Sequence, residues 1–211
     1  MTGSSHGTGP TSGRPLGLFG GRFDPVHRAH IAIAQAVADK LNLDEVRWIV
    51  TGAPAHKPAI ASADDRLTMT KLALQELEDP RMVADDREII TAKNGGSNYT
   101  ADTVLSLQQD CPGRKLIWIL GEDQLQNFLS WSRWQWLICQ FDLAVCGRPC
   151  AEGFQVSKTI IEEGGKIHRV NLKLDPISST EVRNSIGIGA LKSNLIPVSV
   201  AKFIREHRLY K

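Results

Sequence analysis

Short apolar runs alternate along this chain with stretches whose apolar positions recur every three or four residues. The runs are Leu16-Gly17-Leu18-Phe19 and residues 46–50, 81–84, 115–120, 141–146 and 167–172. Their length and their content of Val, Ile, Leu and Trp predict strands, several stopped by a glycine such as Gly121 or Gly147. The helical pattern is clearest in Ile31, Ala34, Val37, Ala38 and Leu41, and again in Leu67, Thr70, Leu74 and Leu77, which Pro80 follows. A third helix opens at Tyr99 and Thr100 with Val104 and Leu107 inward, a fourth runs through Val182 and Ile186, and a last covers 198–207. Ser62-Ala63-Asp64-Asp65 and Ser178-Ser179-Thr180-Glu181 read as capping boxes at two of these starts. Residues 93–97, Lys-Asn-Gly-Gly-Ser, read as a loop. Strands alternating with helices predict an α/β fold, a doubly wound parallel sheet covered on both faces. Ligands of such sheets bind beyond the C-terminal ends of the strands, near a topological switch point.

Composition narrows this only slightly. The 211 residues suit one domain with a sizeable core, expected over 14–211. Residues 1–13, rich in Gly, Ser and Thr, read as a disordered leader with no apolar signal region. A formal charge of +2 does not suggest a nucleic-acid partner, and no apolar run is long enough to cross a bilayer. Cys111, Cys139, Cys146 and Cys150 have no metal-finger spacing and read as reduced thiols of a cytoplasmic protein. The composition leaves room for a homo-oligomer.

The candidate chemistry gathers just after the first strand, in Gly20-Gly21-Arg22-Phe23-Asp24-Pro25-Val26-His27-Arg28-Ala29-His30. The two glycines predict a sharp strand-to-helix turn with close backbone approach, and Pro25 suits a first-turn position. His27 and His30, three apart, share one face of the first helical turn. A helix N-terminus with free amides and two imidazoles is a phosphate site with its own donors. The same histidines also fit a structural role. As metal ligands they supply two groups, with Asp24 offering a third, short of a tight zinc site, so no metal ligand is assigned.

This stretch resembles the signature of the nucleotidylyltransferase superfamily, whose pattern ends His-x-Gly-His, and its Phe-Asp-Pro-Val-His version is similar to that of the bacterial nicotinate mononucleotide adenylyltransferases. Ala29 departs from the usual glycine, and Arg22 stands where a small hydroxyl residue is commoner. Pro54-Ala55-His56-Lys57 resembles the family's Pro-Pro-His-(Lys/Arg) segment, with Ala55 departing. Ile177-Ser178-Ser179-Thr180-Glu181-Val182-Arg183 resembles the second signature, Ile-Ser-Ser-Thr-x-(Ile/Val)-Arg. Between them, Asp85-Asp86-Arg87-Glu88, Asn98-Tyr99-Thr100-Ala101, Gly121-Glu122-Asp123-Gln124-Leu125 with Trp131, and Gly147-Arg148-Pro149 resemble segments of the nicotinate branch.

The resemblance implies a Rossmann-like fold and transfer of the adenylyl group of ATP to nicotinate mononucleotide, with Mg²⁺ accompanying ATP. It implies catalytic roles for His27, His30 and Arg183. It implies ATP contacts from Gly20, Gly21, Phe23, His27, His30, His56, Lys57, Ser178, Ser179, Thr180 and Arg183, and acceptor contacts from Asp24, Tyr99, Thr100, Asp123, Trp131, Ser132 and Arg148. Other readings are a phosphopantetheine or nicotinamide mononucleotide acceptor, or a non-catalytic nucleotide-binding protein.

Overall fold

The computed structural model describes residues 13–53, 59–172, 177–190 and 194–211. Most of the leader, and Pro54, His56 and Lys57, lie outside the described residues. The strands are β1 (Leu16–Gly21), β2 (Glu45–Val50), β3 (Met82–Asp85), β4 (Leu116–Gly121), β5 (Phe141–Cys146) and β6 (Ile167–Val170). The helices are α1 (Arg28–Lys40), α2 (Ala63–Leu77), α3 (Arg87–Lys93), α4 (Thr100–Asp110), α5 (Glu122–Gln126), α6 (Trp134–Gln140), α7 (Ala151–Glu162), α8 (Ser179–Gly187) and α9 (Val198–Glu206). All six strands pair in parallel in the order β3-β2-β1-β4-β5-β6. The chain steps outward from β1 through β2 to β3, then returns to place β4 on the other side of β1. The switch point is therefore the crevice between the C-terminal ends of β1 and β4.

Alternation along each strand divides the core into two layers. Phe19, Val46, Trp48, Val50, Ile117, Ile119 and Ala144 face α1, α2, α8 and α9. Leu16, Leu18, Ile49, Leu116, Trp118, Leu120, Leu143 and Val145 face α4 to α7. A period of two with both sets apolar is what a sheet buried on both faces requires.

Gly20 and Gly21 are not the turn that the sequence suggests. Both lie inside β1, and the reversal comes later, at Phe23 with φ 49° and the cis Asp24–Pro25 peptide. The glycines are needed for space. A Cβ on Gly20 would come within 2.8 Å of the Trp118 ring, and one on Gly21 within 2.9 Å of the Phe23 ring. The strand end is pared down so that two aromatic rings can lie against its backbone.

The capping box at Ser178 forms in full: its hydroxyl accepts from Glu181 N–H, and the Glu181 carboxylate accepts from Ser178 N–H at 2.8 Å. At Ser62 the hydroxyl accepts from Asp65 N–H, and the two side chains bond at 2.7 Å. The start of α9 is capped from another element, because its N-cap, Pro197, has no hydroxyl. Glu76 on α2 accepts from Val198 and Ser199 N–H at 3.0 and 2.7 Å. Among the described residues no helix is long and apolar enough to cross a membrane.

Candidate active site

His27 is the N-cap of α1 and His30 its third residue, so the pair brackets the first turn at the end of β1. Their rings stack with centroids 3.6 Å apart. His30 Nδ1 accepts the backbone N–H of His27 at 3.2 Å. That bond fixes the tautomer: in a neutral ring the remaining proton sits on Nε2, which is left as the donor. The ring is held from behind by Phe23, edge-on at 5.1 Å, and by Phe19 at 6.1 Å.

Burial pushes the His27 imidazole down to about 4, against a smaller upward pull from the Glu181 carboxylate. Loss of solvent around its ring, and then the neighbouring His27, hold His30 well below the usual histidine range. Both rings are therefore neutral at pH 7 and act as N–H donors, not cations. Among the described residues His27 Nδ1 is buried without a hydrogen-bond partner. An orphaned polar atom of this kind is costly in a folded core and is characteristic of functional sites.

The start of α8 is docked on the same loop. Ser179 donates its hydroxyl to the Pro25 carbonyl at 3.1 Å, and Arg183 Nη1 donates to the Asp24 carbonyl at 2.6 Å. Arg183 Nη2 reaches Thr180 Oγ1 at 3.2 Å. The guanidinium thus stands with its charge beside the histidine loop but with part of its fork turned to the protein.

Asp24 departs from its expected place among the acceptor-binding residues. It is 2% exposed, and its carboxylate accepts from Ile60 N–H (2.8 Å), Ala61 N–H (3.1 Å) and the Tyr210 hydroxyl (2.8 Å). A buried carboxylate so engaged holds chain segments together. Arg66 on α2, 1% exposed, gives the site a second anchor that the sequence did not disclose. It donates to the carbonyls of Arg22 at 2.8 Å, Gly52 at 3.2 Å and Ala61 at 3.4 Å. The loops after β1 and β2 therefore share one buried guanidinium.

The remaining predicted acceptor residues spread along the same edge of the sheet. Asp123 follows β4, Arg148 follows β5, and Tyr99 with Thr100 opens α4. Asp123, Ser132 and Arg148 are exposed, and Tyr99 is 53% exposed. Trp131 is half-buried, edge-on to Trp118 at 6.1 Å and tilted on Phe128 at 5.1 Å. Asn98, just before Tyr99, has both side-chain polar atoms buried without a partner among the described residues. The run at residues 85–88 is a brace: Arg87 binds Asp85, Ser106 and Asp110, and Glu88 accepts from Thr103 at 2.8 Å, fastening β3 and α3 to α4.

No group of three His, Cys, Asp or Glu side chains among the described residues is arranged to hold a metal ion. With the Asp24 oxygens already committed, the donor set beside the histidines does not make a resident metal centre.

Residues 18–185 match the family model described as Cytidylyltransferase-like. A probable nicotinate-nucleotide adenylyltransferase of Bordetella avium (strain 197N) is 36% identical over 200 residues, spanning 93% of this chain and 98% of the relative. Another, from Neisseria meningitidis serogroup B (strain ATCC BAA-335 / MC58), is 38% identical over 205 residues, spanning 94% and 99%. The chain belongs to the nicotinate-nucleotide adenylyltransferase family, within the cytidylyltransferase-like group. Among solved structures, the nicotinic acid mononucleotide adenylyltransferase of Plasmodium falciparum complexed with NaAD superposes with a TM-score of 0.76 at 18% identity, covering 93% of this chain and 97% of that one. At that identity the likeness speaks for the fold. In this family member Ala29, at the position where the superfamily signature has glycine, is 8% exposed, its methyl group buried at the first turn of α1.

Proposed function

We propose that this protein transfers the adenylyl group of ATP to nicotinate mononucleotide, forming nicotinate adenine dinucleotide and pyrophosphate in NAD biosynthesis. Family membership supports the reaction class and the acceptor. The observation that carries the mechanism is the stacked, neutral histidine pair, with His30 Nδ1 tied to His27 N–H.

In the proposed reaction a phosphate oxygen of the mononucleotide attacks the α-phosphorus of ATP. The bond from that phosphorus to the oxygen bridging the β-phosphate breaks, and its electron pair leaves with pyrophosphate. The attacking phosphate is already an anion, so no general base is needed. What remains is to align two anions and to stabilise the charge that builds on the oxygens in flight. His30, donating through Nε2–H, and His27 act on the α-phosphate. A neutral donor aimed in advance stabilises that charge without gaining or losing a proton. Arg183, with the hydroxyls of Ser178, Ser179 and Thr180, is assigned to the β,γ end, together with His56 and Lys57. Mg²⁺ enters as MgATP, part of the substrate, held by phosphate oxygens and water. Gly20, Gly21 and Phe23 are assigned to the ATP side by shape: the glycines seat the Trp118 and Phe23 rings that back the loop on which the nucleotide lies. Thr100, Tyr99, Asp123, Ser132 and Arg148 are assigned to the acceptor, and Trp131 to stacking on its pyridine ring. Asp24 is assigned a positioning role in place of direct contact.

The test is pyrophosphate release with MgATP and, in parallel, nicotinate mononucleotide, nicotinamide mononucleotide and phosphopantetheine. Release with the nicotinate form alone is expected. Release with phosphopantetheine instead would overturn the acceptor assignment, and ATP binding without release in any arm would overturn catalysis.

A further inference from the structure

The segment after α9 turns back toward the histidine loop. Arg208 and Tyr210 both take left-handed backbone conformations, φ 54° and 64°, and Leu209 N–H bonds to the Ile204 carbonyl at 3.0 Å. These turns carry Tyr210 across the end of α8, where a Cβ on Gly187 would lie 3.6 Å from the Tyr210 carbonyl. The Tyr210 hydroxyl ends 2.8 Å from Asp24 Oδ1, 186 residues earlier in the chain.

We infer that Tyr210 is a positioning residue of the adenylyl-transfer site, acting on Arg183 and the Asp24–His27 loop through the Asp24 carboxylate. This rests on the function proposed above. The argument is one of hydrogen-bond capacity. Asp24 Oδ1 takes Ala61 N–H and the Tyr210 hydroxyl, while Oδ2 takes Ile60 N–H and stands 4.0 Å from Arg183 Nη1. Arg183 meanwhile donates to the main-chain oxygen of the same residue. The carboxylate is thus nearly satisfied by neutral donors, and the guanidinium stays just outside contact with it. Without the hydroxyl, a carboxylate 2% exposed is left short of a donor, and Arg183, with Nη1 4.0 Å from Oδ2, stands ready to replace it. A direct ion pair would draw the guanidinium inward, away from incoming phosphate. Tyr210 itself remains a donor throughout the working range, since burial and the adjacent carboxylate both push its hydroxyl up beyond ordinary tyrosine values.

The experiment compares Tyr210→Phe with the unchanged protein. The phenyl ring keeps the packing of Tyr210 against the core, so the fold is retained, and Tyr210→Ala serves as the packing control. The primary readout is equilibrium binding of ATP and of nicotinate mononucleotide, each titrated separately by calorimetry. Tyr210→Phe is expected to weaken ATP binding roughly tenfold, the size of one hydrogen bond to a charged group, with mononucleotide binding changed by less than about twofold. A parallel rise in KM for ATP, larger than the fall in kcat, is expected if the protein turns over. Equal loss for both ligands, or no loss for either, would overturn the inference and leave Tyr210 a packing residue. Failure of the proposed reaction would appear separately, as silence of the unchanged protein in the pyrophosphate assay, while the ATP titration would still decide the role of Tyr210.

Discussion

Acidification is the perturbation that isolates the histidine pair. The folded protein keeps His27 neutral down to about pH 4, while in the unfolded chain the same ring takes up a proton near pH 6.5. Between those values the unfolded state binds more protons, so stability falls as pH falls through the window and is intact above it. The full fall, from 6.5 to about 4, is worth about 3 kcal/mol at ~1.36 kcal/mol per pH unit. About 2 kcal/mol of it should be lost between pH 7 and pH 5, before the carboxylates that titrate lower come into play. His30, held low by the same causes, adds to the loss with the same sign. The assay is urea unfolding at pH 7, 6 and 5 for the unchanged protein and for His27→Gln, which cannot titrate. The variant's stability should decline less over this range, by about 2 kcal/mol. Equal declines in the two proteins would show that folding does not depress the His27 pKa, and would remove the argument that burial holds the pair neutral.

Four further outcomes are expected. His30→Ala should lower kcat by two or more orders of magnitude, about 3 kcal/mol of transition-state stabilisation; steady-state turnover near that of the unchanged protein would exclude His30 from the chemistry. Trp131→Ala should raise KM for the mononucleotide more than for ATP, and an unchanged mononucleotide KM would move stacking to Trp134 or Trp136. Gly21→Ala should cost about 1–3 kcal/mol by thermal melting, because the new methyl would meet three atoms of a Phe23 ring that Phe19, Trp48 and His30 already confine; an unaltered melting temperature would refute that account of the glycine. Glu76→Ala should cost about 1 kcal/mol through the exposed start of α9, read as a lower urea midpoint, and no change would mean that water replaces the cap.

Local signals carried much of the fold into view. The runs that became β1 and β4 are free of charged residues on both alternating sets, those of β2 and β5 are so apart from Glu45, Arg47 and Asp142, and the helices at 28–40, 63–77 and 179–187 announce themselves by period or cap. α7 carries no such signal: Gly153 interrupts its pattern, and its N-cap is Cys150, not a hydroxyl or carboxamide residue. The short helices α3, α5 and α6, of 5–7 residues, are too brief for periodicity to register. At the site, the residues that repeat a motif were legible, and those that position them were not. Arg66 sits in an ordinary helical run, and its partners lie 5, 14 and 44 residues away. Asp24 looks, in sequence, like one more polar residue of the motif, and only the fold supplies Ile60, Ala61 and Tyr210 as its donors. Gly20 and Gly21 are places of close approach, and the neighbour pressing on them is aromatic side chain from β4 and from Phe23.

Three of the ties on the loop after β1 end on main-chain oxygens: Arg66 on Arg22, Ser179 on Pro25 and Arg183 on Asp24. A carbonyl is the same group whatever side chain accompanies it, so each of these three ties is made to the backbone itself, while at position 24 the carboxylate adds its own ties to Ile60, Ala61 and Tyr210. The path of the loop is in that measure dictated by distant residues, and the loop resembles a cassette seated in a fixed holder. At the unusual Arg22 the bond from Arg66 lands on the carbonyl, a group that a serine at that position would offer equally.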